Sequence, residues 1–269
     1  MEIDARIARM SQDRAELART LGFLDCNLWL GRPEGFPLAR EIGAGELAEH
    51  LAAAYLAGGL VSHWWGKTSS AQDGNEALAR ADGSLPKGCW TVWTGLPLYP
   101  KEPGRVPGPG ATHPRLRGVR LYPRAHNFPL GEWSTGGLCQ WMVERNLPLF
   151  LQHPELDWSS LRQLALKFPT LAIVVESQTR KILYHTRPLF ILMKECGNVL
   201  LEISNFCGPG FVEHAAREFG AHRLLFGSFL PVADPLVPMG MVLDAELPLE
   251  QKAMIASGNL RRLVEGVRA

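Results

Sequence analysis

The chain has 269 residues, 46% of them hydrophobic and 20% charged, with a formal net charge of +1. That composition suits a globular chain with a substantial core, and its scattered basic residues exclude the clustered cationic surface of a nucleic-acid binder. No apolar run is long enough to span a bilayer, and the opening MEIDARIARMSQDRAELARTLG mixes both charge signs without an apolar signal core, so a cytoplasmic protein is expected.

In chain order, Ile3, Ile7, Met10, Leu17 and Leu21 have helical spacing and predict an N-terminal helix that ends at Gly22. Strand-like runs follow at Phe23–Gly31, Leu60–Trp65, Gly88–Pro97, Gly118–Pro123, Pro148–His153, Leu171–Ser177, Asn198–Ser204 and Leu224–Pro231. Amphipathic stretches such as GELAEHLAAAYLAG, LCQWMVERN, DWSSLRQLALKF and FVEHAAREFG lie between them. The runs LAIVV and NVLLEI are apolar on both alternating sets, as in parallel strands covered on both faces. Pro100–Gly110 is too rich in Pro and Gly for a helix and reads as a surface loop after the third strand. LPLEQKAMIASGNLRRLVEG reads as two short helices after the eighth strand. Eight strands alternating with helices predict one (β/α)8 TIM-like barrel over residues 1–269, with an N-terminal helix and C-terminal helices. An open doubly wound sheet is the competing architecture, but neither GxGxxG nor GxxxxGK[ST] occurs to support it.

The five cysteines are odd in number and form no CxxC, which argues against a disulfide framework and a structural zinc finger. No GxSxG elbow is present for serine hydrolysis.

Three segments, FLDCNLWLG, KFPTLAIVVES and FGAHRLLFGSFLP followed by LPLEQKAMIASGNLRRLV, together resemble the amidohydrolase superfamily, in particular its small metal-dependent hydrolases and decarboxylases. The resemblance runs through the chain in order. It implies hydrolysis of an amide, ester or lactone, or a decarboxylation, on a small carboxylate-bearing substrate. It also implies a metal centre at the strand ends. Here the ligand positions depart from the pattern: the strand-one histidine pair corresponds to Asn27 and Trp29. The strand-five histidine corresponds to Gln152, or to His153 if the register slips; the strand-six histidine to Ser177; the strand-eight aspartate to Phe229. Such side chains cannot replace the imidazoles and carboxylates that a zinc-like ion requires, so no metal is expected at the usual centre.

Barrel sites lie at the C-terminal strand ends, and alternation turns Asp25, Asn27 and Trp29, Arg120 and Tyr122, Gln152, and Glu202 and Ser204 inward. Strand six leaves Glu176 and Ser177 open. Asp25 and Glu202 are the candidate catalytic acid and base, because a carboxyl in an apolar surround has a raised pKa. Arg120 is the candidate anchor for a substrate carboxylate, or else pairs internally with one of these acids. Asn27, Trp29, His63, Tyr122, Gln152, Ser177, Ser204 and Phe229 complete the expected ligand-binding set. One divalent ion, such as zinc, held by His63, His126, His153 or His185 with Asp25, Glu176 or Glu202 is the alternative cofactor reading. The polar stretch SHWWGKTSSAQDGN is a further place for an anion, near Lys67, Thr68 and Ser69. A small-molecule ligand is the expected partner; neither nucleic acid nor membrane is, and the apolar helix faces also suit a homo-oligomer. A catalytically inactive small-molecule-binding or scaffold relative, with Trp29 and Phe229 filling the old metal cavity, is the competing function.

Overall fold

The computed structural model describes residues 2–97, 113–178 and 182–268. Eight parallel strands pair in chain order: β1 (Leu24–Leu30), β2 (Gly58–His63), β3 (Cys89–Thr94), β4 (Leu116–Leu121), β5 (Leu149–Gln152), β6 (Ile173–Glu176), β7 (Val199–Glu202) and β8 (Leu224–Leu225). The first and last strands meet through Cys26 N–H to Phe226 O at 3.1 Å and Trp29 N–H to Leu230 O at 2.9 Å. The architecture is a (β/α)8 barrel. Among the described residues no helix is long and apolar enough to cross a membrane.

The helices are α1 (Glu2–Leu21), α2 (Ala44–Ala53), α3 (Trp65–Thr68), α4 (Ala71–Ala81), α5 (Glu132–Arg145), α6 (Trp158–Lys167), α7 (Thr186–Glu195), α8 (Phe211–Phe219), α9 (Leu236–Leu243), α10 (Leu249–Ala253) and α11 (Asn259–Glu265). Their starts follow local chemistry: Ser70 accepts from Asp73 N–H at 3.0 Å to open α4, and Asp157 accepts from Ser160 N–H at 2.7 Å to open α6.

Alternation along the strands divides the core in two. Val119, Leu121, Leu149, Leu151, Ile173, Val175, Val199 and Leu201 pack against the helices. Leu60, Val92, Phe150, Val174, Leu200 and Leu225 form a separate interior cluster with Leu24 and Cys26. Leu260 and Val264 of α11 join that interior set, so the C-terminal helix closes the barrel floor.

Three differences from the sequence reading have local causes. The eighth strand ends at Leu225, where the next amide, Phe226 N–H, bonds to Ile255 O at 3.1 Å, and Phe229 then takes φ 65°. The polar stretch after β2 contains the short helix α3, packed on α4 where Gly66 and Gly74 meet; a Cβ on Gly74 would lie 2.3 Å from Gly66 N. The apolar run LVPMGMVL forms α9, with Pro238 in its first turn, where no N–H is required. The expected Pro100–Gly110 loop lies outside the described residues.

Candidate active site

Above the apolar interior, the strand ends carry a buried polar layer, and an aromatic layer caps it. Arg120 on β4 is the centre of the polar layer. It is 1% exposed and forms an ion pair with Glu176 of β6. It also donates to Ser62 Oγ on β2 and approaches Cys26 O of β1 at 3.5 Å. Its guanidinium carbon lies 4.7 Å from the Trp29 ring and 5.5 Å from the Phe150 ring. Burial opposes the charge, but the adjoining Glu176 carboxylate outweighs it and holds the Arg120 pKa above its ordinary value.

Asp25 and Glu202 occupy other parts of this layer, both fully buried. Asp25 accepts from the backbone N–H of Asn27 at 2.8 Å and of Ser228 at 3.1 Å, across the seam where the barrel closes. Burial pushes its pKa up to about 6, against those hydrogen bonds. Glu202 accepts from Ser177 N–H at 2.9 Å, Ser177 Oγ at 3.2 Å and Ser204 N–H at 2.6 Å. Burial pushes its pKa up to about 7, with Glu176 adding to the shift. Gly227 makes room for this side chain: a Cβ there would lie 2.3 Å from Glu202 Oε1. Two acids therefore take up protons near neutrality while the third stays paired with arginine.

The cap consists of Trp29, Trp64, Tyr122 and Phe229, with Phe36 from the β1–α2 loop against it. Trp29 lies 4.7 Å from Trp64 and 5.9 Å from Phe229, ring centre to ring centre. Its indole N–H donates to Asn27 Oδ1 at 2.6 Å. Trp29 and Phe229 are both 0% exposed.

Beside the cap, α3 projects Lys67 toward β5. Its ammonium donates to Gln152 Oε1, lies 3.5 Å from Glu155 Oε1 and sits 5.2 Å from the Tyr122 ring centre. Glu155 is itself fixed by the backbone N–H groups of Arg124 and Ala125, at 3.0 and 2.9 Å. Burial lowers the Lys67 pKa, and Glu155 offsets part of that shift. The Tyr122 hydroxyl faces Arg120, and Gln152 Nε2 and Glu176 Oε2 are buried without a hydrogen-bond partner. These atoms are a donor and acceptor set not consumed by the fold.

The structure thus brings Asp25, Asn27, Trp29, Arg120, Tyr122, Gln152, Ser177, Glu202, Ser204 and Phe229 into two adjoining layers. His63 stands apart, against Trp65 at the β2 end, with burial lowering its pKa to about 4. Glu176, left open by periodicity, is the acid paired with Arg120, whereas Ser177 joins Glu202. Sequence alternation missed Glu155, which lies beyond the end of its strand.

The side chains at the expected ligand positions do not fit a metal ion. Asn27 Oδ1 is taken by the Trp29 indole, Gln152 Oε1 by Lys67 and the Ser177 hydroxyl by Glu202, while Trp29 and Phe229 offer rings. His153 and His185 meet at 2.6 Å through their Nδ1 atoms, and His126 Nε2 faces Lys67 O at 3.2 Å. Among the described residues no group of three or more His, Cys, Asp or Glu side chains is placed to hold a metal.

The family model described as Amidohydrolase matches residues 110–265. No curated protein matches the chain. An amidohydrolase 2 from Bifidobacterium longum subsp. infantis superposes with a TM-score of 0.65 at 16% identity, over 91% of this chain and 99% of the other. The 5-carboxyvanillate decarboxylase from Sphingomonas paucimobilis gives 0.67 at 12% identity, over 92% and 100%. The 2,6-dihydroxybenzoate decarboxylase from Rhizobium gives 0.59 at 13% identity, over 91% and 98%. At such identities these structures share the fold. The family match spans more than half of the 269 residues, follows the strand ends and trailing helices described above, and identifies the chain as a member of the amidohydrolase family.

Proposed function

We propose that the protein acts on a small carboxylate-bearing substrate, by hydrolysis of an amide, ester or lactone or by decarboxylation, without the family's usual metal centre. The observation that carries this reading is Lys67, an ammonium fixed at the barrel mouth beside Gln152, Glu155 and Tyr122. A substrate carboxylate would compete with Gln152 and Glu155 for this ammonium, and the neighbouring Tyr122 hydroxyl would supply a second donor. Asp25 and Glu202 are the groups for proton transfer, because burial places their pKa values near 6 and 7. Aromatic carboxylates are the first class to test, since decarboxylases of 5-carboxyvanillate and 2,6-dihydroxybenzoate share the fold.

The test is calorimetric binding and carbon dioxide release with these two acids, and hydrolysis of a panel of lactones and N-acyl compounds, on protein freed of metal. Turnover that falls at least tenfold in Lys67→Met supports the reading. Absence of both binding and turnover, or an unaffected Lys67→Met variant, would overturn it. A second reading, a catalytically inactive ligand-binding relative, is favoured by the complete burial of Trp29, Phe229, Asp25 and Glu202. Carboxylate binding that depends on Lys67, with no turnover, is its signature.

A further inference from the structure

We infer that the Arg120 guanidinium is a fixed cation that takes the place of a divalent ion in this barrel, so that the fold is complete without metal. The inference does not depend on which reaction, if any, the site performs.

Both terminal nitrogens of the guanidinium are engaged, and only Nε is left without a hydrogen-bond partner. Trp29 and Phe150 rings lie 4.7 and 5.5 Å from its carbon, and Glu176, Ser62 and the Cys26 carbonyl supply oxygens around it. Two residues standing at the family's ligand positions serve this cation rather than a metal: Trp29 stacks on it, and Asn27 holds the Trp29 indole at 2.6 Å. Guanidinium suits this role. It is planar, weakly hydrated, stacks on aromatic faces and keeps its proton when buried. Its single charge is balanced by the single carboxylate of Glu176. A divalent ion brought into the same layer would add two positive charges beside a third, with little solvent to screen them. Arg120 therefore completes the centre and also repels the ion it stands for.

The experiment uses the full chain, purified without a histidine tag or added metal. Elemental analysis after dialysis should find far less than one divalent ion per chain. The thermal midpoint should be unchanged by EDTA and by added zinc or manganese. Arg120→Met removes the charge and retains much of the volume. It should lower the midpoint by about 10 °C, as expected for one partner stripped from a buried pair. Arg120→Met combined with Glu176→Gln should recover at least half of that loss, because both charges leave together. If Arg120→Met does not fold while the double variant does, the same conclusion holds. A near-stoichiometric ion in the native protein, a midpoint that falls on chelation, or a double variant no more stable than Arg120→Met would each overturn the inference.

Discussion

The raised pKa values of Asp25 and Glu202 have a direct consequence for stability. Each acid is held above its ordinary value, Glu202 from 4.5 to about 7 and Asp25 from 3.8 to about 6. Between these limits the folded chain keeps protons that the unfolded chain has released. Their contribution is therefore largest at the acid end, falls as pH rises through the window, and levels off above about 7. The thermal midpoint should be several degrees higher at pH 5.5 than at pH 8, and Glu202→Gln should flatten much of that slope. Carbon-13 NMR of the Glu202 carboxyl should give a titration near 7; a titration near 4.5 would contradict burial as the dominant cause. Trp29 invites a second test at this scale. It touches Arg120, Trp64 and Phe229 and is wholly buried, so Trp29→Ala should cost about 3–5 kcal/mol in denaturant unfolding. A loss below about 1 kcal/mol would mean that the cap is not packed as described.

At the scale of the element, much of the barrel is held by side chains that satisfy backbone groups. Arg223, just before β8, donates to Met193 O and Cys196 O at 2.7 Å and to Val199 O at 2.9 Å, joining the end of α7 to β7. Arg223→Leu should lose about 3 kcal/mol, because it leaves these carbonyls short of a charged donor. An unchanged urea midpoint would contradict that assignment. Asn75 on α4 acts similarly, pairing with both Thr94 N–H and Thr94 O at 2.8 and 2.9 Å, and so fixes the upper end of β3. Such contacts were not legible in the sequence, since they join residues far apart in the chain. The strands were: alternation and apolar runs located all eight, because parallel barrel strands bury both faces. The same alternation turned Arg120 and Glu202 toward the buried polar layer, and Tyr122 and Gln152 toward the cap and its side. It could not choose between Glu176 and Ser177, which face different partners at adjacent positions. On β1 it expected Asp25, Asn27 and Trp29 on one face. The β1–β2 register shifts between Asp25 and Leu28, so Leu24 and Cys26 join the interior cluster as well.

At the scale of the molecule, the barrel interior is a column stopped at both ends. Leu260 and Val264 of α11 close the floor, and Trp29, Trp64, Tyr122 and Phe229 close the top. Between them lie one arginine and three carboxyl groups, all shielded from solvent. This closure also governs the timing of exchange with the surroundings. The Trp29 indole hydrogen is bonded to Asn27 and sealed beneath its neighbours, so it can be replaced by deuterium only when the cap parts. Its exchange rate, followed by NMR, becomes a clock for that event. A rate equal to that of the slowest core amides would mean that the cap opens only when the whole barrel does. A faster one would measure how often the stopper lifts by itself, and so how often a molecule outside could meet the buried acids.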